Sequence, residues 1–546
     1  MTPPPPIERR PVARFAAIFA GFAASVVLYT LAFPNFLVEK GIGFLGWVAL
    51  CPLFSIIPEL KPRAGIGIGA AFGVLVYALS DYWLWTYHPA ALLIACAYAA
   101  FGLAILVPIL SFVSKAFPRA YPIAFPFLWL SYEFLRSRGF MGYPYGVLGY
   151  AFWRNTDILG LASAGGVWLV SLAALGANSA LGVAVRRAVH HGDRFRWGKP
   201  VIVPLSIAAG TIIVATIGGA FMKTEYSSAS RLRAALIQPN YRNRQRSIQD
   251  YNAMSDRLIR GTERALREKP DLIVWHETSI VPPLGWHLRF RTNRETLDLA
   301  LRMDAYIRGL KVPLLFGNGR AESTGNAPLP RKNWNSAFLY KDGKELGRYD
   351  KMRLVPYSET FPAAEKLPKI AARIEAEVGQ FWEKGQNLTV FRLGDVGFSA
   401  PICFEDSFGD HDRAFAEAGA DFLVVLTDDS WGRAASCQYQ HLSQSALRAA
   451  ELGIPVARAA NTGATVLLGP DGGILSELPP FTEGFLLAEI PIPPKSFSGT
   501  LYRKIGDSVG WAALLASLAW IILSALACKF WRGTKVRPER NTRGSS

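Results

Sequence analysis

The chain has 546 residues, of which 51% are hydrophobic, and 59 Lys/Arg against 42 Asp/Glu give a formal charge of +17. That much apolar residue points to a partly membrane-embedded chain rather than a soluble one. Between residues 223 and 500 there are 35 Lys/Arg against 33 Asp/Glu, so the excess charge lies around the hydrophobic segments, which argues against a nucleic-acid-binding face and for membrane topology signals.

The start, Met1 to Arg14, is Pro-rich and basic, and Phe15 to Phe33 is apolar. A signal peptide has this form, but more hydrophobic segments follow at once, so a retained first span is expected. Further spans are expected near 42–58, 64–85, 90–114, 121–137, 157–184 and 200–222, with a last one near 509–531. The expected organisation is a membrane domain of seven helices over 1–222, an α/β domain over 223–500, and an eighth helix with a basic tail over 501–546. With the N-terminus inside, the cytoplasmic loops collect the cations, including Arg186, Arg187, Arg194, Arg196 and Lys199, and the α/β domain faces outward. Two external stretches are dense in aromatics, Asp81 to His88 and Gly139 to Tyr145. An interfacial aromatic belt is the expected role, and a lipid-facing rim or a seat for the polar domain is the alternative.

In the segment 223–500, Leu232 to Gln238, Leu272 to Trp275, Val312 to Phe316, Ser336 to Tyr340, Val396 to Ile402 and Phe422 to Leu426 read as strands. Ser247 to Glu268, Arg294 to Gly309 and Gln440 to Leu452 read as helices, the last with Leu442, Ala446, Leu447 and Ala450 along one face. This is the pattern of an α/β domain with a largely buried sheet. Within 223–500 there is no GxGxxG, P-loop or GxSxG, and no CxxC or HExxH spacing occurs, so neither a cofactor nor a metal is expected.

Three strand ends carry residues that make chemical sense together. Asp271 to Glu277 delivers Glu277, Leu346 to Lys351 delivers Lys351, and Val396 to Ile402 delivers Cys403. A thiol needs a base, which a carboxylate in a dry pocket can be. A tetrahedral oxyanion needs a cation or donor, which Lys351 can be. Taken singly, a free cysteine is usually a small buried hydrophobe, and a strand-end Glu or Lys is usually solvated. Cys437, after a small-residue stretch, is the weaker nucleophile candidate. His441 is read as a packed or capping histidine, and Pro362 to Lys384, with Phe381 and Trp382, as a helical lid. Val281 to Leu288 reads either as a packed loop or as an arm dipping into lipid.

With their flanking residues, the three resemble the Glu-Lys-Cys triad of the nitrilase superfamily, whose carbon–nitrogen hydrolase fold is an α-β-β-α sandwich. The spans, the Tyr349 to Glu359 run, Ile402-Cys403-Phe404-Glu405, Ala450 to Pro455 running on to Asn461-Thr462-Gly463, and Ser498 to Tyr502 are similar to the apolipoprotein N-acyltransferase family. The resemblance implies a multi-pass protein of the bacterial inner membrane with its catalytic domain on the periplasmic side. It implies acyl transfer from a phospholipid, through a Cys403 thioester, to the N-terminal amine of a diacylglyceryl-cysteine lipoprotein. Glu359 and Glu405 match family carboxylates that would orient Lys351 or assist proton transfer, and Phe404 stands where the family commonly has Tyr. His276 stands in place of a usual Pro, and Thr427 to Gly432 departs from a pattern with Asn and Ala. An amidase with water as acceptor and a non-catalytic membrane receptor are the competing readings.

Overall fold

The computed structural model describes residues 11–191, 198–226, 230–242, 247–291, 293–324, 331–362, 364 and 366–534. Arg194 and Arg196 of the basic loop, the Pro-rich start and the end of the basic tail lie outside them. Among the described residues six helices are long and apolar enough to cross a membrane: Arg14–Ala32, Pro62–Ser80, Pro89–Ala116, Ala162–Val189, Lys199–Met222 and Ser508–Phe530. Large apolar side chains stand out from their flanks, Val214 at 71% and Phe221 at 87% exposure among them, which water would penalise and lipid would not.

The other two of the eight expected spans are shorter or broken helices. Segment 42–58 breaks into a 3-10 turn over Gly43–Trp47, a short helix Cys51–Ile56 and a second turn Ile57–Glu59, since Gly and Pro interrupt it. Its Leu50, Leu53 and Ile57 are fully buried, and the Asn178 side chain accepts from the N–H groups of Leu50 and Cys51. It packs inside the helical bundle. Segment 121–137 forms the 16-residue helix Tyr121–Arg136, mostly buried between its neighbours.

The α/β part contains β1 (Arg231–Gln238), β2 (Leu272–Val274), β3 (Leu314–Ser323), β4 (Arg331–Lys341), β5 (Lys344–Asp350), β6 (Phe391–Leu393), β7 (Val396–Ser399), β8 (Phe422–Thr427), β9 (Val456–Ala460), β10 (Thr465–Leu468), β11 (Ile474–Leu478) and β12 (Gly484–Pro491). They form two six-stranded sheets, β12-β1-β2-β3-β4-β5 and β11-β10-β9-β8-β7-β6. The period-2 rule sorts the side chains of the first sheet. Ala234, Leu236, Leu272, Val274 and Leu315 join the core shared with the second sheet. Ala235, Ile237, Ile273, Trp275, Leu314 and Phe316 pack under the outer helices Ile248–Leu266 and Arg294–Gly309. Ser247 and Asp250 form a reciprocal cap that starts the first of these helices. The result is the α-β-β-α sandwich.

The helix Ala435–Leu452 is buried all round from Ser436 to Leu452, not along one face only. One side covers the second sheet and the other docks on the membrane part, where Gln440 Nε2 donates to the carbonyls of Pro34 and Ser80. Glu451 accepts from the N–H of Val167 at 2.8 Å, just beyond a break in the Ala162–His191 helix at Gly165 and Gly166. Gly166 sits at φ +67°, and a side chain there would strike the Tyr502 ring.

The aromatic stretch 81–88 is correspondingly a seat for the α/β domain rather than a free belt. Trp83 is 1% exposed, its Nε1 donates to Gln440 Oε1 at 3.0 Å, and its ring lies 5.3 Å from that of Trp431. Thr86 Oγ1 donates to the Trp431 carbonyl.

Candidate active site

Each candidate side chain leaves the end of a strand on the same rim of the sandwich, where ligands of open parallel sheets gather. Glu277 stands three residues past β2, Lys351 directly follows β5, and Cys403 follows β7 after an isolated bridge between Ile402 and Leu426. The first sheet therefore supplies the carboxylate and the ammonium, and the second supplies the thiol. Cys403 has φ +53°, a left-handed conformation uncommon for a residue with a side chain and one that sharp strand-to-helix turns impose.

Glu277 and Lys351 meet at 3.2 Å, and Lys351 Nζ also donates to Glu359 Oε1 at 2.8 Å. Lys351 has no exposed surface. Glu277 Oε1 also accepts from Asn335 Nδ2 at 2.8 Å, and its Oε2 accepts from the N–H of Asp428 at 3.1 Å. Glu359 Oε2 accepts from the N–H of Val355, which folds the strap 352–362 over the site. Glu405 does not reach Lys351. Its oxygens accept from Tyr349 OH and the N–H groups of Met352, Arg353 and Ile402, all within 2.9 Å, so it staples the strap to the turn that carries Cys403.

The electrostatics follow from burial and pairing. Burial pulls the Lys351 ammonium towards neutrality, but Glu277 and Glu359 outweigh it and hold its pKa well above the ordinary value. Burial pushes the Cys403 thiol well up, Glu277 adds to the rise, and Lys351 opposes it. The resting site therefore holds a neutral thiol and a cationic lysine beside the hydrogen-bonded Glu277. Burial also raises Glu359, against the pull of Lys351, and Asp428 to about 6.

Beneath Cys403 lies a charged network that the sequence reading does not anticipate. His441 Nδ1 lies 2.9 Å from Asp429 Oδ1, and its Nε2 lies 3.1 Å from Asp406 Oδ1 and 3.3 Å from the Cys403 carbonyl. Arg458 bonds the other oxygens of both aspartates at 2.8 and 2.9 Å. Burial and Arg458 press the His441 pKa down, the two aspartates outweigh them, and it rises to about 9. His441 is thus a buried imidazolium rather than a plain packing residue. The signal available in the sequence is Arg458, a charge inside the apolar strand β9. The ligand-type atoms of Cys403, Asp429 and His441 lie within 4.8 Å of one another. Both ring nitrogens face carboxylates, and Arg458 already neutralises those carboxylates, so this donor set does not suit a metal cation.

Cys403, Glu277, Glu359 and Phe404 open onto a cavity of about 540 Å³. Its apolar wall includes Trp83, Tyr87, Ile94, Ala95 and Tyr98, the last three on the Pro89–Ala116 helix, and Ile94 is itself 44% exposed on that helix. The helix Pro368–Val378 contributes Ile374 and Glu377, so the stretch read as a lid does supply a helix at the cavity wall. Cys437 does not open onto it: it is fully buried in an aromatic cluster with Trp83 and Tyr145, where burial pushes its thiol well up. Val281 to Leu288 begins the short helix Leu284–Phe290, with Leu284 and Trp286 buried.

Residues 233–493 match the carbon-nitrogen hydrolase family model, and residues 25–180 match the apolipoprotein N-acyltransferase N-terminal domain. The apolipoprotein N-acyltransferase 1 of Treponema pallidum (strain Nichols) is 33% identical over 92% of this chain and 95% of its own length. This chain belongs to the apolipoprotein N-acyltransferase family. Apolipoprotein N-acyltransferase 1 of Treponema denticola is 30% identical over 94% of this chain and 96% of its own length. Among solved structures, an amidase from Nesterenkonia sp. is 22% identical with a TM-score of 0.34, over 48% of this chain and 92% of that one. The family and the six apolar helices together make this a multi-pass membrane protein with a nitrilase-like domain.

Proposed function

We propose that this protein transfers an acyl chain from a phospholipid to the N-terminal amine of a diacylglyceryl-cysteine lipoprotein, through a thioester on Cys403. The observation that carries the reading is the cavity, in which a buried thiol beside a carboxylate faces a wall supplied by a membrane-spanning helix. A small-amide hydrolase has no use for that wall, whereas an acyl chain needs it.

In the first half-reaction Glu277 takes the proton of the Cys403 thiol as the sulfur attacks the ester carbonyl of the phospholipid. Negative charge develops on the carbonyl oxygen and is stabilised by Lys351, whose ammonium is already fixed by Glu277 and Glu359. The C–O bond breaks, Glu277 returns the proton to the leaving hydroxyl, and a lysophospholipid departs. In the second half the lipoprotein amine attacks the thioester, Glu277 takes its proton, the C–S bond breaks and the thiol recovers a proton. Asn335 and the Asp428 N–H hold Glu277 in place through both halves. Glu405 holds the Cys403 turn, and Phe404 walls the chamber. The concentration of basic residues over 186–199 in the sequence supports an orientation with the α/β domain outside the cytoplasm, on the periplasmic side of the inner membrane.

The test incubates the protein with phospholipid vesicles and a diacylglyceryl peptide, and follows the products by mass spectrometry. Triacylated peptide with stoichiometric lysophospholipid, absent in Cys403→Ala, is expected. Free fatty acid with no acylated peptide would replace this reading with a hydrolase, and no turnover of either lipid would replace it with a receptor.

A further inference from the structure

A second chamber, of about 770 Å³, lies across Phe404 from the thiol and is larger than the first. Phe404 lines both. The rest of the partition is the loop 139–145 and the strap 352–362, which touch where the rings of Phe140 and Tyr357 cross at 5.9 Å. The first chamber is walled almost wholly by apolar side chains, whereas the second combines an apolar lining, with Trp168, Leu354 and Phe408, with a larger polar share. Its cations come matched with anions: Arg138 with Asp507, Arg353 with Asp410 at 2.6 Å, and Arg448 with Glu451 at 2.6 Å. Lys384 adds an exposed ammonium at the rim.

The floor keeps hydrogen-bonding capacity that the protein does not use. Ser407, Arg448 and Glu451 line this chamber, and their Oγ, Nε and Oε2 atoms are buried with no hydrogen-bond partner among the described residues. Ser407 is 3% exposed, Arg448 2% and Glu451 0%. Buried polar groups left unpaired cost free energy, and such groups at the wall of a cavity point to a ligand that completes them. The set offers a hydroxyl that donates and accepts, an N–H that donates and a carboxylate oxygen that accepts. A phosphate would meet Glu451, Asp410 and Asp507 with repulsion. An extended main chain presents both C=O and N–H groups and matches the mixture, and the volume lies within the range of about 300–1,000 Å³ usual for ligand sites.

We propose that this second chamber binds the polypeptide of the acceptor, the first residues that follow its lipidated N-terminal cysteine. The proposal rests on the acyl-transfer reading above and divides the acceptor by chemistry. Its lipid chains stay in the first chamber, its amine reaches the Cys403 thioester at the partition, and its main chain runs into the second chamber. Matched charges at the rim give little preference for acidic or basic peptides, so the chamber takes many sequences while still requiring a peptide.

The two half-reactions separate the alternatives. Arg353→Ala removes a rim cation, and Lys384→Trp places a ring at the mouth. Both sites are at the surface, and formation of the acyl-enzyme reports that each variant is folded. The probes are phosphatidylethanolamine vesicles for acylation, and two acceptors for discharge: a diacylglyceryl-cysteine pentapeptide and diacylglyceryl-cysteine amide. The expected result is parental acylation, parental discharge by the amide, and a KM for the pentapeptide raised about tenfold, the loss of one charge-assisted hydrogen bond. Equal discharge by both acceptors in parent and variants would overturn the proposal. Slower acylation that depends on the phospholipid headgroup, with discharge unchanged, would also overturn it and assign the chamber to the donor. No acyl adduct in the parent would refute the acyl-transfer reading itself, and the proposal would fall with it.

Discussion

Replacing Lys351 with Met leaves Glu277 and Glu359 facing each other across the space that the ammonium filled. Lys351 has no exposed surface and bonds both carboxylates, at 3.2 and 2.8 Å, and among the described residues no other cation bonds either of them. Removing one member of a buried ion pair costs about 3–5 kcal/mol, because the partner charge stays behind. Here two like charges stay behind, and the site responds by protonating one of them. Glu359 is the candidate, since burial already raises its pKa. The sign of the pH dependence follows. A carboxyl whose folded pKa lies above its unfolded value binds more protons in the folded state, so stability falls as pH rises through that interval. Lys351→Met should therefore unfold at a Tm lower by on the order of 10 °C at pH 8, with a smaller deficit at pH 5. The assay is thermal unfolding of detergent-solubilised protein at a fixed scan rate across pH 5–8. Acylation by phospholipid should fall by about 10²–10³-fold, the usual cost of one oxyanion donor. A Tm equal to the parent at both pH values, or full-rate acylation, would refute the assignment of Lys351 as the buried cation of the site.

Three further outcomes are expected. His441, with its pKa raised to about 9, contributes stability that is complete below about 6.5 and lost as pH rises through 9; His441→Gln should remove the Tm decline between pH 8 and 10. Asp428, pushed up to about 6 by burial, destabilises the fold progressively as pH rises from about 4 to 6, so Asp428→Asn should raise Tm at pH 8 and leave it unchanged near pH 4. Ala95 lines the apolar chamber, so Ala95→Trp should slow acylation by long-chain donors more than by short-chain ones, and equal slowing for both would place the chain elsewhere.

The parts of this architecture that repeat with a period are legible in the sequence. The apolar runs within Leu232 to Gln238 and ahead of Cys403 give the strands, and the strand ends give Glu277, Lys351 and Cys403. What depends on tertiary docking is not legible. Asn335 reaches Glu277 only because β4 lies beside β3 and delivers its side chain to the rim. His441 looks like one more face of an amphipathic helix until Asp406, Asp429 and Arg458, from three other elements, close around it. The same holds for Ala435–Leu452, whose polar face is buried because the membrane part covers it. The aromatic stretch 81–88 has the composition of an interfacial belt, and only the position of Gln440 and Trp431 turns it into a seat. Segments 42–58 and 121–137 are legible as apolar stretches, while the breaks at Gly and Pro in the first and the 16-residue length of the second are set by the fold.

The most direct test of the central claim is an intact-mass spectrum of the purified protein after incubation with phospholipid and no acceptor, with Cys403→Ala and Cys437→Ala alongside. The account predicts one added acyl chain, labile to hydroxylamine, present in the parent and in Cys437→Ala and absent in Cys403→Ala. An adduct that survives Cys403→Ala, or that disappears in Cys437→Ala, would contradict it.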